Sequence, residues 1–363
     1  MKIIHCADVH LGSSLTTHFD GETAKQRQAE LFTTFTNMLD YADKNDVEAI
    51  IIAGDLFDKD TGIKKIKTNV MKAIGSHKNI EVYYLRGNHD NSAEVEELPD
   101  NLHTFGDEWK TYEVDKDGKI TLSGIELNKY NKDVAYNTLN LAFDKYNIVT
   151  MHGQQSKYDS KADAEIINLK ALQNRNIDYL ALGHIHSYSE KQLDNRGVYC
   201  YPGCLEGRGM DEPGKHGFVL LDINKETLRA KRTFVSFAKR EVYHEEVDVS
   251  EATTSFEIAE LLKEKIKELG CRAVDIVEFI LTGEVSVDLE IDETIIEHQI
   301  KDMVFYAKVK NKTSIGIDYS EYELDESLKG EFVRTVYADS TLSEEEKATI
   351  IKYGIDALAG KEI

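Results

Sequence analysis

The sequence predicts an α/β protein, a layered domain built on a largely parallel sheet and followed by a smaller α+β module. Three observations lead there. Short apolar runs alternate with stretches of helical period over residues 2–85. One run, Ala49-Ile50-Ile51-Ile52-Ala53, is apolar throughout, as in a strand covered on both faces. The chain has 363 residues, more than one core usually takes.

The elements follow in order. Residues 2–7 predict a buried strand ending at Asp8. Leu31, Phe32, Phe35, Met38 and Leu39 give residues 23–45 a helical apolar spacing. Strand 49–53 closes at Gly54, a helix follows near 62–76, and strand 80–85 ends at Arg86-Gly87-Asn88-His89. Residues 111–127 predict a hairpin around Asp117-Gly118. Strand 146–151 ends at His152. A polar loop over 154–163 and a helix over 164–175 lead to strand 178–182, which ends at Gly183-His184. Residues 188–235 alternate as hairpins, with turns at Asn195-Arg196-Gly197 and near Asn224-Lys225. From 241 the pattern predicts strand 241–249, helix 255–269, strands 274–282 and 285–290, helix 292–303 and strand 304–309. The expected domains are therefore 1–240, an α+β module over 241–317, and an acidic tail over 318–363. In that tail Ile350, Ile351, Ile355 and Leu358 share one helical face, a possible docking stripe for a partner.

Hydrophobic content of 41% and charged content of 30% are those of a soluble globular protein. No apolar run approaches the roughly 20 residues that span a bilayer. Met1-Lys2 runs directly into a short strand, not a signal peptide, so no membrane association and a cytoplasmic location are expected. The four cysteines are too sparse for a disulfide framework. Cys200 and Cys204 have the spacing of half a zinc site, but no second pair stands nearby, and reduced thiols are the simpler reading. The formal net charge of −22 disfavours broad electrostatic binding to nucleic acid. A DNA substrate would need a partner to supply much of the phosphate attraction.

Five segments each stop on a metal-binding side chain: Asp8-Val9-His10, Gly54-Asp55-Leu56-Phe57-Asp58, Gly87-Asn88-His89-Asp90, His152-Gly153 and Gly183-His184-Ile185-His186. A lone histidine at a strand end is usually a hydrogen-bonded structural residue, and Asp-x-His is common by chance. All five, however, lie just past the C-terminal end of an apolar strand, the edge where α/β sheets build ligand sites. The set suits two divalent ions sharing a carboxylate. Asp55 is the natural bridge. Asp8, His10 and His186 are expected at one ion, and Asn88, His152 and His184 at the other. Mixed oxygen and imidazole ligands with open positions fit Mn, Fe or Zn better than Ca. Such a pair activates water against a phosphate ester and neutralises charge on the phosphoryl oxygens. His89, next to a ligand but spare, is expected to donate a proton to the leaving oxygen, with Asp90 orienting it. Asp58 is expected at the rim, and glycines 54, 87, 153 and 183 leave room beneath the ions. Arg208, flanked by glycines, either holds a substrate phosphate bidentately or marks a surface turn. His5, His18, His77, His103, His216, His244 and His298 read as structural or surface residues.

These motifs resemble the calcineurin-like metallophosphoesterases, whose pattern is D-x-H, G-D-x-x-D, G-N-H-D/E, an isolated His and G-H-x-H. The likeness covers about residues 1–210. Ile4-His5-Cys6-Ala7-Asp8-Val9-His10-Leu11-Gly12, Gly54-Asp55-Leu56-Phe57-Asp58 and Arg86-Gly87-Asn88-His89-Asp90 are similar to the SbcD-type nuclease subunits of DNA double-strand break repair. The segment departs from relatives that carry His where Asp58 stands. The resemblance implies a four-layered αββα domain, a smaller capping domain shaping DNA access, and C-terminal helices that bind an SMC-like ATPase of SbcC type. It also implies manganese-dependent 3′-to-5′ exonuclease and endonuclease activity on DNA, usually in a homodimer. A phosphoesterase for small molecules, nucleotides or phosphoproteins is the alternative, which the acidic surface favours. A scaffold with structural metals is a third reading, against which the spare His89 argues.

Overall fold

A computed structural model describes residues 1–58, 64–90, 98–156, 166–287, 289–317 and 319–358. The chain divides into two compact units, Met1–Glu241 and Val242–Ile363.

The first unit opens with β1 (Lys2–Cys6), α1 (Gly21–Lys44), β2 (Ala49–Ala53), α2 (Lys64–Ser76), β3 (Glu81–Leu85) and β4 (Leu102–Thr104). Next come β5 (Lys110–Glu113), β6 (Ile120–Gly124), α3 (Lys132–Thr138), β7 (Tyr146–His152), β8 (Gln154–Ser156), β9 (Ile166–Asn168) and α4 (Leu169–Leu172). It closes with β10 (Tyr179–Gly183), β11 (Ser189–Gln192), β12 (Val198–Tyr201), β13 (Gly217–Asn224) and β14 (Arg229–Ser236). One six-stranded sheet has the order β14-β13-β1-β2-β3-β4, and a second the order β11-β12-β10-β7-β6-β5. β1 to β4 pair in parallel, as do β6, β7, β10 and β12.

Strand alternation explains the layers. Ile3, Ile51, Tyr83 and Leu85 of the first sheet meet Leu122, Ile148, Tyr179 and Ala181 of the second in one buried core. The opposite face of the second sheet, with Val149, Met151, Leu180 and Leu182, packs on Ala135 of α3 and Leu169 and Leu172 of α4. On the outer face of the first sheet, Tyr41 of α1 touches Phe218 of β13 with ring centroids 5.3 Å apart. The unit is thus the expected stack of helices, sheet, sheet and helices. α1 starts where the Asp20 carboxylate accepts from the amides of Glu22 and Thr23. Its buried positions Leu31, Phe35, Met38, Leu39 and Ala42 recur at the three- and four-residue steps read from the sequence.

Part of the expected helix over 164–175 is corrected. Ile166–Asn168 is a strand paired in parallel with β8, and the helix is only Leu169–Leu172. Residues 157–165, most of the expected polar loop, lie outside the described residues.

The second unit contains β15 (Val242–Asp248), α5 (Ser255–Leu269), β16 (Ile276–Thr282), β17 (Glu284–Ser286), α6 (Glu293–Ile300), β18 (Tyr306–Asn311), β19 (Ser314–Gly316), α7 (Leu328–Tyr337) and α8 (Glu344–Leu358). β15, β16 and β18 form a parallel sheet. Val277, Phe279 and Leu281 of that sheet pack against Ile258, Leu262 and Ile266 of α5 and Ile296 of α6. α5 lies over the predicted residues, capped by Thr254 and ended by Gly270 at φ +69°. Val333 and Val336 of α7 share a core with Ile351 and Ile355 of α8. Half of the apolar stripe read as a docking face is therefore used internally, while Ile350 and Leu358 remain exposed.

Candidate metal centre

The centre forms where the chain leaves parallel strands of both sheets at the same edge. The loops after β1 and β2 run side by side, with the amides of Asp8, His10 and Leu11 donating to the carbonyls of Gly54, Asp55 and Leu56 at 3.1, 2.9 and 3.0 Å. Two contacts tie the sheets together there. The His184 amide donates to both Asp8 carboxylate oxygens at 3.0 Å, and His152 Nδ1–H donates to the Ala53 carbonyl at 2.9 Å. Nine non-glycine residues have positive φ among the described residues, and four of them are Asp8, His10, Asp55 and His184. Each such residue costs on the order of 1 kcal/mol. Backbone strain is thus concentrated on predicted ligands.

Asp8, His10 and His186 bring one donor atom each within 4.8 Å of one another. His186 Nδ1–H donates to Glu212 at 2.6 Å, which leaves Nε2 as a lone pair 3.3 Å from His10 Nε2. Nδ1 of His10 is buried without a hydrogen-bond partner.

Asp8, Asp55 and His152 form an adjoining group. With its Nδ1–H given to Ala53, His152 turns Nε2 toward two further acceptors, Asn88 Oδ1 at 3.0 Å and Asp55 Oδ2 at 3.3 Å. The His184 ring stands edge-on to His152 at 5.4 Å. Asp55 Oδ1 is occupied by the His89 amide at 2.8 Å. Its other oxygen lies between the two groups, 3.3 Å from His152 Nε2 and 3.8 Å from His10 Nε2.

Buried acceptors facing one another repel unless a cation lies among them. Protonation shows the same demand. Burial works against a charged His152, yet the hydrogen bond to Asp55 and the charges of Asp8 and Asp55 push its pKa up to about 9. His10 moves the other way, to about 3, because burial and then the Arg208 charge disfavour its cation. Burial raises Asp8 to about 6 against the pull of His152 and His186. The residues fit a pair of divalent ions: carboxylate, carboxamide and neutral imidazole donors stand in two adjoining groups with one carboxylate between.

The backbone leaves no slack around these donors. A Cβ on Gly54, which sits at φ +98°, would lie 2.1 Å from His152 Nδ1, and one on Gly87 2.2 Å from Asp55 Oδ1.

Two predicted roles are corrected. Asp90 does not orient His89. Its carboxylate accepts from the amides of Phe57 and Gly87, both at 2.8 Å, and burial raises its pKa to about 6. Asp58 takes the role instead, with Oδ1 3.1 Å from His89 Nδ1. Arg208 does not present a free bidentate fork. Nε and Nη2 donate to Glu212 at 3.0 and 2.7 Å, and Nη1 lies 3.9 Å from Asp58. It sits at the centre all the same, not on a surface turn.

Glu212 is the residue that sequence reasoning missed. It is buried, and although burial alone would raise its pKa, His186 and Arg208 hold it well below the usual carboxylate range. An Arg and a Glu four apart between glycines was the available signal. The remaining histidines stand elsewhere: His5 on Tyr179, His18 near Asp211, His77 on Asp40, His103 on Glu81, His216 against Cys204, His244 near Glu278 and His298 beside Lys301. All four cysteines are free thiols. Among the described residues no helix is long and apolar enough to cross a membrane.

A family model described as calcineurin-like phosphoesterase matches residues 1–188. The chain is 27% identical over 292 residues to the uncharacterized metallophosphoesterase YhaO of Bacillus subtilis, covering 74% of this chain and 69% of that protein. It is 23% identical over 286 residues to the DNA double-strand break repair protein Mre11 of Sulfolobus acidocaldarius, covering 74% and 72%. It is 25% identical over 278 residues to the SbcD component of the nuclease SbcCD of Staphylococcus epidermidis, covering 65% and 69%.

Proposed function

The chain belongs to the calcineurin-like phosphoesterase family of metal-dependent phosphoesterases, and on that footing we propose that it hydrolyses DNA phosphodiester bonds as the nuclease subunit of an SbcCD-type repair complex. The observation that carries the hydrolytic reading is Asp55, whose second oxygen lies between two clusters of inward-facing acceptors. The DNA reading is supported by likeness to Mre11 and to the SbcD component of SbcCD over more than 270 residues, well past the matched family domain.

In this reading Asp8, His10 and His186 would hold one divalent ion and Asn88, His152 and His184 the other, with Asp55 available to both. The ions, manganese in the first instance, would supply Lewis acidity toward the phosphoryl oxygens and lower the pKa of water. The protein residues do the rest. Ala53 and Glu212 fix the tautomers of His152 and His186 so that each turns Nε2 inward. His89 is half-exposed, and its Nδ1–H is held by Asp58. In its imidazolium form the ring keeps Nδ1–H on Asp58, gives the Nε2 proton to the leaving oxygen and ends neutral. Arg208 keeps Glu212 ionised and faces Asp58 with Nη1, so its cation stands near the phosphate without gripping it.

The reading extends to partners. Leu328, Tyr337, Ile350, Tyr353 and Leu358 leave exposed apolar side chains on α7 and α8, a surface suited to an SMC-like ATPase. A second subunit and a cytoplasmic setting complete it. Hydrolysis of small or nucleotide phosphodiesters is the competing reading, favoured by the net charge of −22. The test is manganese-dependent cutting of labelled linear, hairpin and single-stranded DNA beside cyclic and monomeric phosphates. The DNA reading expects DNA to be cut, and cutting to be lost in His89→Ala with both ions retained. Turnover of small phosphates alone would sink it.

A further inference from the structure

We propose that Arg27, a residue of α1 outside the ligand set, is a positioning residue for the metal ligand His186 and acts through the peptide that joins Gly207 to Arg208. The proposal rests on the ligand assignment above and names what holds one ligand in place. The chain between β12 and β13 grips His186 at two points. The Cys204 amide donates to its carbonyl at 3.1 Å, and Glu212 accepts from its Nδ1–H at 2.6 Å. Glu212 in turn takes the Arg208 amide on Oε2 at 2.8 Å. The Gly207 carbonyl, the other end of that same peptide, accepts from Arg27 Nη2. A trans peptide is planar, with its C=O and N–H pointing opposite ways. The plane is therefore pinned from both sides, by Arg27 on one and Glu212 on the other. It cannot turn without moving the carboxylate that aims His186.

The Arg27 guanidinium is itself fixed. It is fully buried, and Nη1 donates to Glu30 and, at 3.3 Å, to Glu206, while Nη2 reaches the same Glu206 oxygen at 3.2 Å. The other Glu206 oxygen accepts from the Thr34 hydroxyl and the Lys239 amide, both at 2.8 Å. Glu30 also accepts from Lys239 Nζ at 2.7 Å and from Arg240 Nε at 2.8 Å. The cluster thus sets three cations, Arg27, Lys239 and Arg240, against the carboxylates of Glu30 and Glu206. Stability alone accounts poorly for this arrangement. Buried ion pairs are often no better than apolar packing. Arg27 brings one cation more than the two carboxylates balance, and its Nε is buried without a hydrogen-bond partner among the described residues. What Arg27 adds, and an apolar side chain of similar length lacks, is a planar fork that serves two carboxylates and a backbone carbonyl together.

The test is calorimetric titration of the metal-free full chain with manganese, run below the melting temperature of each protein, on the wild type, Arg27→Met, Glu212→Gln and the double variant. Arg27→Met leaves two cations facing two carboxylates and should fold, which melting curves check. Losing a partner that orients a metal-bound histidine weakens metal binding about 10- to 100-fold, and Arg27 stands one link further back, so the lower end applies. Arg27→Met is expected to weaken one of two binding steps about tenfold and to leave the other within about twofold. Added to Glu212→Gln it should cost less than about threefold more, because the relay is already broken, whereas a purely structural Arg27 would act independently and its effect would add in full. Arg27→Lys keeps the cation but not the fork; it should weaken the same step, and it replaces Arg27→Met if that variant does not fold. Both affinities within about twofold of the wild type, equal weakening of both steps, or a loss of more than about threefold on top of Glu212→Gln overturns the proposal. Any of those results beside a wild type that binds two ions removes the positioning role alone, whereas fewer than two ions in the wild type removes the metal-centre reading with it.

Discussion

Glu212→Gln tests whether a residue that touches no substrate sets the strength of the metal centre. Oε1 of Glu212 collects three donors: His186 Nδ1 at 2.6 Å and Arg208 Nη2 and Nε at 2.7 and 3.0 Å. Oε2 takes the Arg208 amide at 2.8 Å. The amide variant keeps the shape but loses the charge, and its NH2 must face a donor. Two costs follow. His186 loses the carboxylate that fixes its tautomer, worth about 10- to 100-fold in metal affinity, or roughly 1.4 to 2.7 kcal/mol. Arg208 is left with Asp58 at 3.9 Å as its nearest carboxylate. Breaking a buried pair costs about 3 to 5 kcal/mol, and because the Arg208 side chain is 17% exposed the lower end applies. Chelator competition and thermal unfolding separate the two effects. The expected result is one weakened metal-binding step of two together with a lowered melting temperature. A melting temperature that falls while both metal affinities stay within about twofold would refute the link from Glu212 through His186.

Other perturbations address separate parts of the structure. Asp58→Asn should cut turnover about 100-fold or more with both ions bound, since His89 loses its anchor, whereas Asp90→Asn should chiefly lower stability, by about 1–3 kcal/mol, through the Phe57 and Gly87 amides; equal loss of turnover in both, read from steady-state kinetics beside melting curves, would contradict the assignment. Gly87→Ala places a methyl 2.2 Å from Asp55 Oδ1 and should weaken metal binding at least about tenfold by the same titration, while unchanged affinity would mean that the loop yields freely. Burial lowers His5 from 6.5 to about 3, so the folded state refuses a proton that the unfolded chain accepts. Stability from this group is intact above pH 6.5 and is lost as pH falls toward 3, by about 2 kcal/mol at pH 5. Denaturant titration of His5→Gln should show a shallower decline over that window, and an identical decline would rule His5 out as its source.

The fold and the gathering of candidate donors at one edge were readable because both depend on local signals. An apolar strand that ends on a glycine and a donor announces itself wherever it lies, and the two sheets then bring such ends to one edge. Helix α5 could be placed because Thr254, its apolar stripe and Gly270 agree. The parts that depend on distant pairing were not readable. Nothing local marks Glu212 as the partner of His186, 26 residues away. Asp58 and Asp90 both flank ligands, and only the curl of the loop after β2 decides which carboxylate meets the His89 ring and which meets backbone amides. Ile166-Ile167 suits a helix or a strand equally, and pairing with Gln154–Ser156 settles it. The buried network of Arg27, Glu30, Glu206 and Arg240 was likewise invisible, because charged residues in a sequence are ordinarily taken for surface.

A crystal grown with manganese and read by anomalous scattering addresses the shared carboxylate most directly. Two peaks should flank Asp55 Oδ2, one beside His10 and His186 and one beside Asn88, His152 and His184, and Asp55→Asn should lose at least one peak together with phosphodiester turnover. A single peak in the wild type, or two peaks and undiminished turnover in Asp55→Asn, would contradict a centre built on two bridged cations.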